Sequence, residues 1–137
     1  MAIETFSPST TAPNSASYRQ VVAPNYYRGS FANDDTDVHD FPVNTRGKSS
    51  MAVIVQTTGS STFSVSIYGL HADWSTSAAL TDVGVVPIAL GMQVNSTNEF
   101  YQEANVNFPR ALIRVQSGDT GDANDPTVTV FANLHSN

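Results

Sequence analysis

The chain has 137 residues, no cysteine, and 12 acidic against 6 basic side chains, for a formal net charge of −6. That length suits one globular domain plus at most a short extra segment, and the missing thiols exclude disulfides, thiolate metal sites and cysteine nucleophiles. The six cations, Arg19, Arg28, Arg46, Lys48, Arg110 and Arg114, are scattered in sequence, which argues against a nucleic-acid partner, because phosphate binding needs them clustered.

Ser, Thr and Asn together supply 41 residues, whereas Glu occurs only at 4, 99 and 103 and Lys only at 48. Good helix formers are scarce and strand and turn formers abundant, so the composition favours an all-β chain. No run approaches 18 apolar residues, and Met1-Ala2-Ile3-Glu4 lacks a basic stretch followed by an apolar one. Neither a membrane span nor a signal peptide is expected.

Residues 1–30 form the first compositional unit. Pro8, Pro13 and Pro24 are spaced so that neither a helix nor a central strand can run far. The stretch is expected to be extended and to have no core of its own. Phe6, Tyr18, Val21, Val22, Tyr26 and Tyr27 make it too apolar for an inert linker. Two readings follow: a fraying terminus, or an arm that becomes ordered against another subunit with its aromatics as anchors. Charge favours the second. Residues 1–30 carry +1 and residues 31–137 carry −7, so the arm suits an acidic surface such as a neighbouring copy.

Residues 31–137 read as short alternating strands separated by turns. A strand is expected at 38–43. Residues 51–55 alternate weakly, as in a strand covered on both sides. In Thr62-Phe63-Ser64-Val65-Ser66-Ile67-Tyr68, Phe63, Val65 and Ile67 face one way and Ser64, Ser66 and Tyr68 the other. Thr58-Gly59-Ser60-Ser61 between these two reads as a hairpin turn. Further strands are expected at 83–90, 92–95 and 100–108. A last pair is expected where Ala111, Ile113 and Val115 alternate with Leu112, Arg114 and Gln116, and Val128 and Val130 with Thr127, Thr129 and Phe131, across the turn-forming loop 117–126. Seven or eight such strands predict an antiparallel β-sandwich, jelly-roll or Ig-like, with an extended N-terminal arm. Neither a repeat nor a second domain is evident.

The chemistry searched for is thin. A serine-hydrolase triad has no G-x-S-x-G elbow to carry it, and His39, His71 and His135 read equally well as surface or half-buried strand residues. Glu99 and Glu103 are the only close glutamate pair for glycoside hydrolysis, and any acidic protein offers such pairs. Asp34, Asp35, Asp37, His39 and Asp40 form one acidic cluster, and Asp119, Asp122 and Asp125 recur in a later loop. Neither matches the calcium-loop pattern, and Asp, Asn and Gly are ordinary turn formers, so no metal and no cofactor are expected. Trp74, the sole tryptophan, and Tyr68 are candidate sugar-stacking residues, although a lone Trp in a sandwich is more often a core plug. Asn95-Ser96-Thr97 fits a glycosylation acceptor and, without a secretion signal, reads as chance.

One succession of motifs resembles a known group. An alternating strand ends in Tyr68-Gly69, a loop carries Asp73-Trp74, then come Phe108-Pro109-Arg110-Ala111-Leu112-Ile113-Arg114-Val115 and a final Val128-Thr129-Val130. Over roughly residues 50–134 this resembles the small β-sandwich structural proteins of tailed-bacteriophage virions. The loop Leu70-His71-Ala72-Asp73 stands where that group often has Asn-Asp-Gly. The resemblance implies no catalytic residue. It implies a non-enzymatic virion protein, foremost a capsid decoration (cement) protein on the outer head surface, with a carbohydrate-binding appendage or a tail, neck or fibre component as the alternative. The implied partners are the major capsid protein and copies of itself, preferably as a homotrimer. Phe6, Tyr18, Arg19, Tyr26, Tyr27 and Arg28 are the expected subunit or capsid contacts, with outward Leu112 and Phe131 as further candidates.

Overall fold

The computed structural model describes residues 2–4, 6–8, 26–32, 38–58, 62–71, 85–94, 100–117 and 127–136. They form ten strands: β1 (Ala2–Ile3), β2 (Ser7–Pro8), β3 (Tyr26–Ala32), β4 (Val38–Asn44), β5 (Ser50–Thr57), β6 (Phe63–Leu70), β7 (Val85–Val94), β8 (Phe100–Asn105), β9 (Arg110–Ser117) and β10 (Thr127–His135). Among the described residues there is no helix.

The strands make two sheets, ordered β1-β4-β9-β6-β7 and β2-β3-β10-β5-β8. The eight long strands pair antiparallel throughout. Their order, β4-β9-β6-β7 facing β3-β10-β5-β8, is that of the eight-stranded jelly roll. The expected β-sandwich is therefore present, and between jelly-roll and Ig-like the topology selects the former.

Two expected pairings are corrected by this order. β5 and β6 lie in different sheets, so the two strands do not pair as the expected hairpin. β9 and β10 are likewise split between the sheets. Of the strands expected at 83–90 and 92–95, the structure makes one, β7, kept continuous by two register shifts in its pairing with β6.

Alternation places one face of each sheet inward. Phe41 and Val43 of β4, Phe63, Val65 and Ile67 of β6, and Ala111, Ile113 and Val115 of β9 meet Phe31 of β3, Met51, Val53 and Val55 of β5, and Val128, Val130, Ala132 and Leu134 of β10. Each fully buried branched or aromatic side chain contributes roughly 1.5–3 kcal/mol of transfer free energy, and this term drives the layers together. Where the sandwich ends, the Phe108 ring lies over Gly69. A Cβ there would overlap the ring, so glycine is required by the close approach.

The expected boundary at residue 30 falls inside β3, which pairs along its length with β10. The sandwich includes Tyr26–Ala32, and the opening residues also join it. Ala2–Ile3 pairs parallel with His39 and Asp40 of β4, and Ser7–Pro8 pairs antiparallel with Arg28 and Tyr27 of β3. Alternation in β3 is masked in the sequence because the inward position between Tyr27 and Phe31 is Gly29. The arm reading for residues 9–25 lies outside the described residues.

Candidate functional site

The polar residues with most chemical potential gather where the opening segment meets β4. Two neighbours on β4, His39 and Asp40, point to opposite faces of the sheet, as strand geometry requires. His39 turns inward and is almost completely buried. Its ring stacks on Phe31 of the facing sheet at a centroid distance of 3.6 Å and an interplanar angle of 7°. Nδ1 of His39 lies 2.6 Å from Oε1 of Glu4, while the Glu4 backbone N–H donates to the Asp40 carbonyl at 2.8 Å.

Asp40, on the other face, has no exposed surface. Its register partner on β9 is Arg114, whose Nε and Nη2 donate to the two carboxylate oxygens at 2.7 and 2.9 Å. This bidentate fork is the strong form of the ion pair. Donating these hydrogen bonds to Asp40 raises the Arg114 guanidinium above its ordinary value against the opposing effect of partial burial, with the Asp40 charge and the Tyr68 phenol adding to it. The guanidinium therefore stays charged, and its fork on Asp40 serves as a cross-strand tie.

Phe6 completes the cluster. Its half-buried ring sits 5.7 Å from Tyr27 and 5.5 Å from Phe41, bridging the two sheets at one lateral edge. Phe31 extends the aromatic row to Phe41 and Phe63 at 6.0 and 6.3 Å.

Of the expected contact residues, Phe6 and Tyr27 thus pack against their own core. Arg28 is exposed on the outer face of β3, with its guanidinium 5.9 Å from the Phe131 ring centroid. Tyr26 begins β3, and Tyr18 and Arg19 lie outside the described residues. Leu112 and Phe131, expected as outward contacts, are 0% and 3% exposed and offer no surface. Alternation correctly put both on the faces opposite the core, but it does not reveal that those faces are covered. Among the described residues, the large apolar side chains that are exposed are Leu90 at 56% and Tyr101 at 50%, on β7 and β8.

Tyr68 is half-buried on the outer face of β6, and Trp74 lies outside the described residues, so the sugar-stacking pair is described at one member only. His71 is exposed, with its ring edge-on to Phe108 at 4.9 Å. His135 ends β10, where its carbonyl accepts the Ser49 N–H. Glu103 is exposed on β8, and Glu99, Asp34, Asp35, Asp37, Asp119, Asp122 and Asp125 lie outside the described residues. Among the described residues no three His, Asp or Glu side chains come together as a metal site. An open depression of about 370 Å³ lies between residues 45–48 and 106–109. Its lining includes Arg46 and Lys48 but neither carboxylate nor imidazole, so it holds no acid and base pair.

The ties missed in the sequence were Glu4 to His39 and Asp40 to Arg114. The available signal was a single opposite charge in the middle of each of two apolar strands, which is how a cross-strand pair reads.

No protein-family model matches the chain, and no curated protein matches it. Among solved structures, carbohydrate-binding modules from the β-sandwich superfamily are similar at 10% identity and a TM-score of 0.47, over 96% of this chain and 52% of that one. This chain therefore spans about half of that structure's length. A periplasmic inhibitor of g-type lysozyme from Aeromonas hydrophila is similar at 14% identity and a TM-score of 0.40, over 85% and 93% of the two chains. The coat protein of Tobacco streak virus is similar at 12% identity and a TM-score of 0.29, over 94% and 92%. The three have three different roles, and likeness at this level transfers none of them.

Proposed function

We propose that this protein is a non-enzymatic structural component of a phage virion, a decoration protein that binds the outside of the head and reinforces it. The observation that carries the non-catalytic part is the fate of the described polar groups. His39 and Asp40, the best placed for acid–base chemistry, are committed to Glu4 and Arg114 as internal ties. The virion part is supported by the sequence resemblance and by the jelly roll, an architecture used by viral capsid and lectin domains.

In this reading the partners are the major capsid protein and other copies of the chain, preferably as a trimer, with no cofactor, nucleic acid or membrane. Tyr18, Arg19, Tyr26 and exposed Arg28 supply shell contacts, while Phe6 and Tyr27 hold the arm to its own sandwich. Many modest contacts repeated by capsid symmetry give high avidity. Electron cryomicroscopy of particles containing this chain tests the proposal. Jelly-roll density on the outer head surface is expected, and its absence from the head would overturn it. A truncation used to probe the arm must stop before Tyr26, since removing β3 strips a strand from β10.

A second reading, a carbohydrate-binding appendage, is favoured by half-buried Tyr68 on the outer sheet face beside Arg114. Its signature is a saturable fluorescence change with a polysaccharide that is lost in both Trp74→Ala and Tyr68→Ala.

A further inference from the structure

The opening segment is joined to the sandwich by far more chain than its position needs. Pro8 pairs with Tyr27, so β2 and β3 are immediate neighbours, yet residues 9–25 separate them. Neighbouring antiparallel strands are joined by as few as two residues and commonly by two to five. The 17 residues present can reach roughly 56 Å when extended, at about 3.3 Å per residue. That exceeds the width of a small jelly roll.

What the segment contributes is also separable. Residues 2–8 pair with the sheet edges through two strands of two residues each. Their described side-chain anchors are Glu4 on His39 and Phe6 between Tyr27 and Phe41. These receiving groups belong to β3 and β4, and any copy of the chain presents them identically. Charge does not oppose a transfer: residues 1–25 hold one acid, Glu4, and one base, Arg19, and are formally neutral beside a neighbour's net negative sandwich.

We infer that residues 2–8 form an exchangeable clip, and that the β3 and β4 edges accept the clip of a second copy. The exchange preserves each contact and costs mainly the association entropy, as in domain swapping. It concerns contacts between copies and requires no capsid.

The test exploits the cysteine-free chain. Ser7 and Arg28 are both exposed and are Cα partners, a spacing that antiparallel pairs share with disulfides. Ser7→Cys and Arg28→Cys chains are mixed, unfolded, refolded together at high concentration and oxidised. The control mixes Ser7→Cys with Gln116→Cys, a cysteine exposed on β9. Clip exchange predicts covalent heterodimer about tenfold or more above the control, because docking raises the effective thiol concentration. Heterodimer no greater than in the control overturns the inference. The double variant in one chain, refolded dilute, is expected to close its internal disulfide. Failure there overturns the docking geometry itself.

Discussion

The two lateral edges of this jelly roll are finished by opposite means. At one edge the opening segment is added to both sheets at once, Phe6 fills the gap between them, and Glu4 is tied to a buried imidazole. At the other, β7 pairs only with β6 among the described residues, and β8 only with β5. The β7 sequence has no charged residue; its protection is conformational. Register with β6 shifts twice, Pro87 removes a donor, and Gly91, at φ 65°, turns its N–H to Ser66 Oγ at 3.0 Å. Bulges and proline twist an edge away from further pairing, and the same bulge leaves Leu90 exposed. One edge therefore gains stability from added chain, while the other gives up apolar contact to avoid unwanted association.

Substitutions at the two edges should differ accordingly. The largest loss is expected for Asp40→Ala, which leaves the partly buried Arg114 guanidinium without its carboxylate. Urea denaturation should show a loss of about 3 kcal/mol. In the parent chain the pH sign is also fixed. The folded-state value of Arg114 is raised, so its contribution is complete below the unfolded guanidinium value and is lost only as pH rises through the raised one, in strongly alkaline solution. The stability difference between parent and Arg114→Met should not shrink from neutral to moderately alkaline pH.

Phe6→Ala comes next. It removes a half-buried ring from the sheet gap, and a loss of about 2 kcal/mol is expected by the same assay. An effect as small as that of a surface change would show that the clip edge is ornamental. The smallest effect is expected for Leu90→Ser at the opposite edge, within about 0.5 kcal/mol. A loss there comparable to Phe6→Ala would erase the distinction between the edges.

What the sequence revealed follows the same division. Strands with clean alternation, such as β6 and β9, were legible because a two-residue period needs no knowledge of partners. β3 was missed as a strand because Gly29 interrupts the apolar period and Pro24 precedes it. Sheet membership was not legible, since a Thr-Gly-Ser-Ser turn looks the same whether a chain folds back beside its neighbour or crosses to the other layer. Asp40 and Arg114 are separated by 74 positions, and their pairing is a property of sheet order. Leu112 and Phe131 were placed on the correct faces, but burial of an outer face depends on what lies over it, which no local pattern encodes.

The claim that the opening segment belongs to the sandwich can be read at one amide. Glu4 N–H, which donates to the Asp40 carbonyl, should be protected in native-state hydrogen exchange. That protection should fall in Phe6→Ala while the β10 amides keep theirs. Exchange of the Glu4 amide in the parent protein at the rate of an unstructured chain would contradict the account.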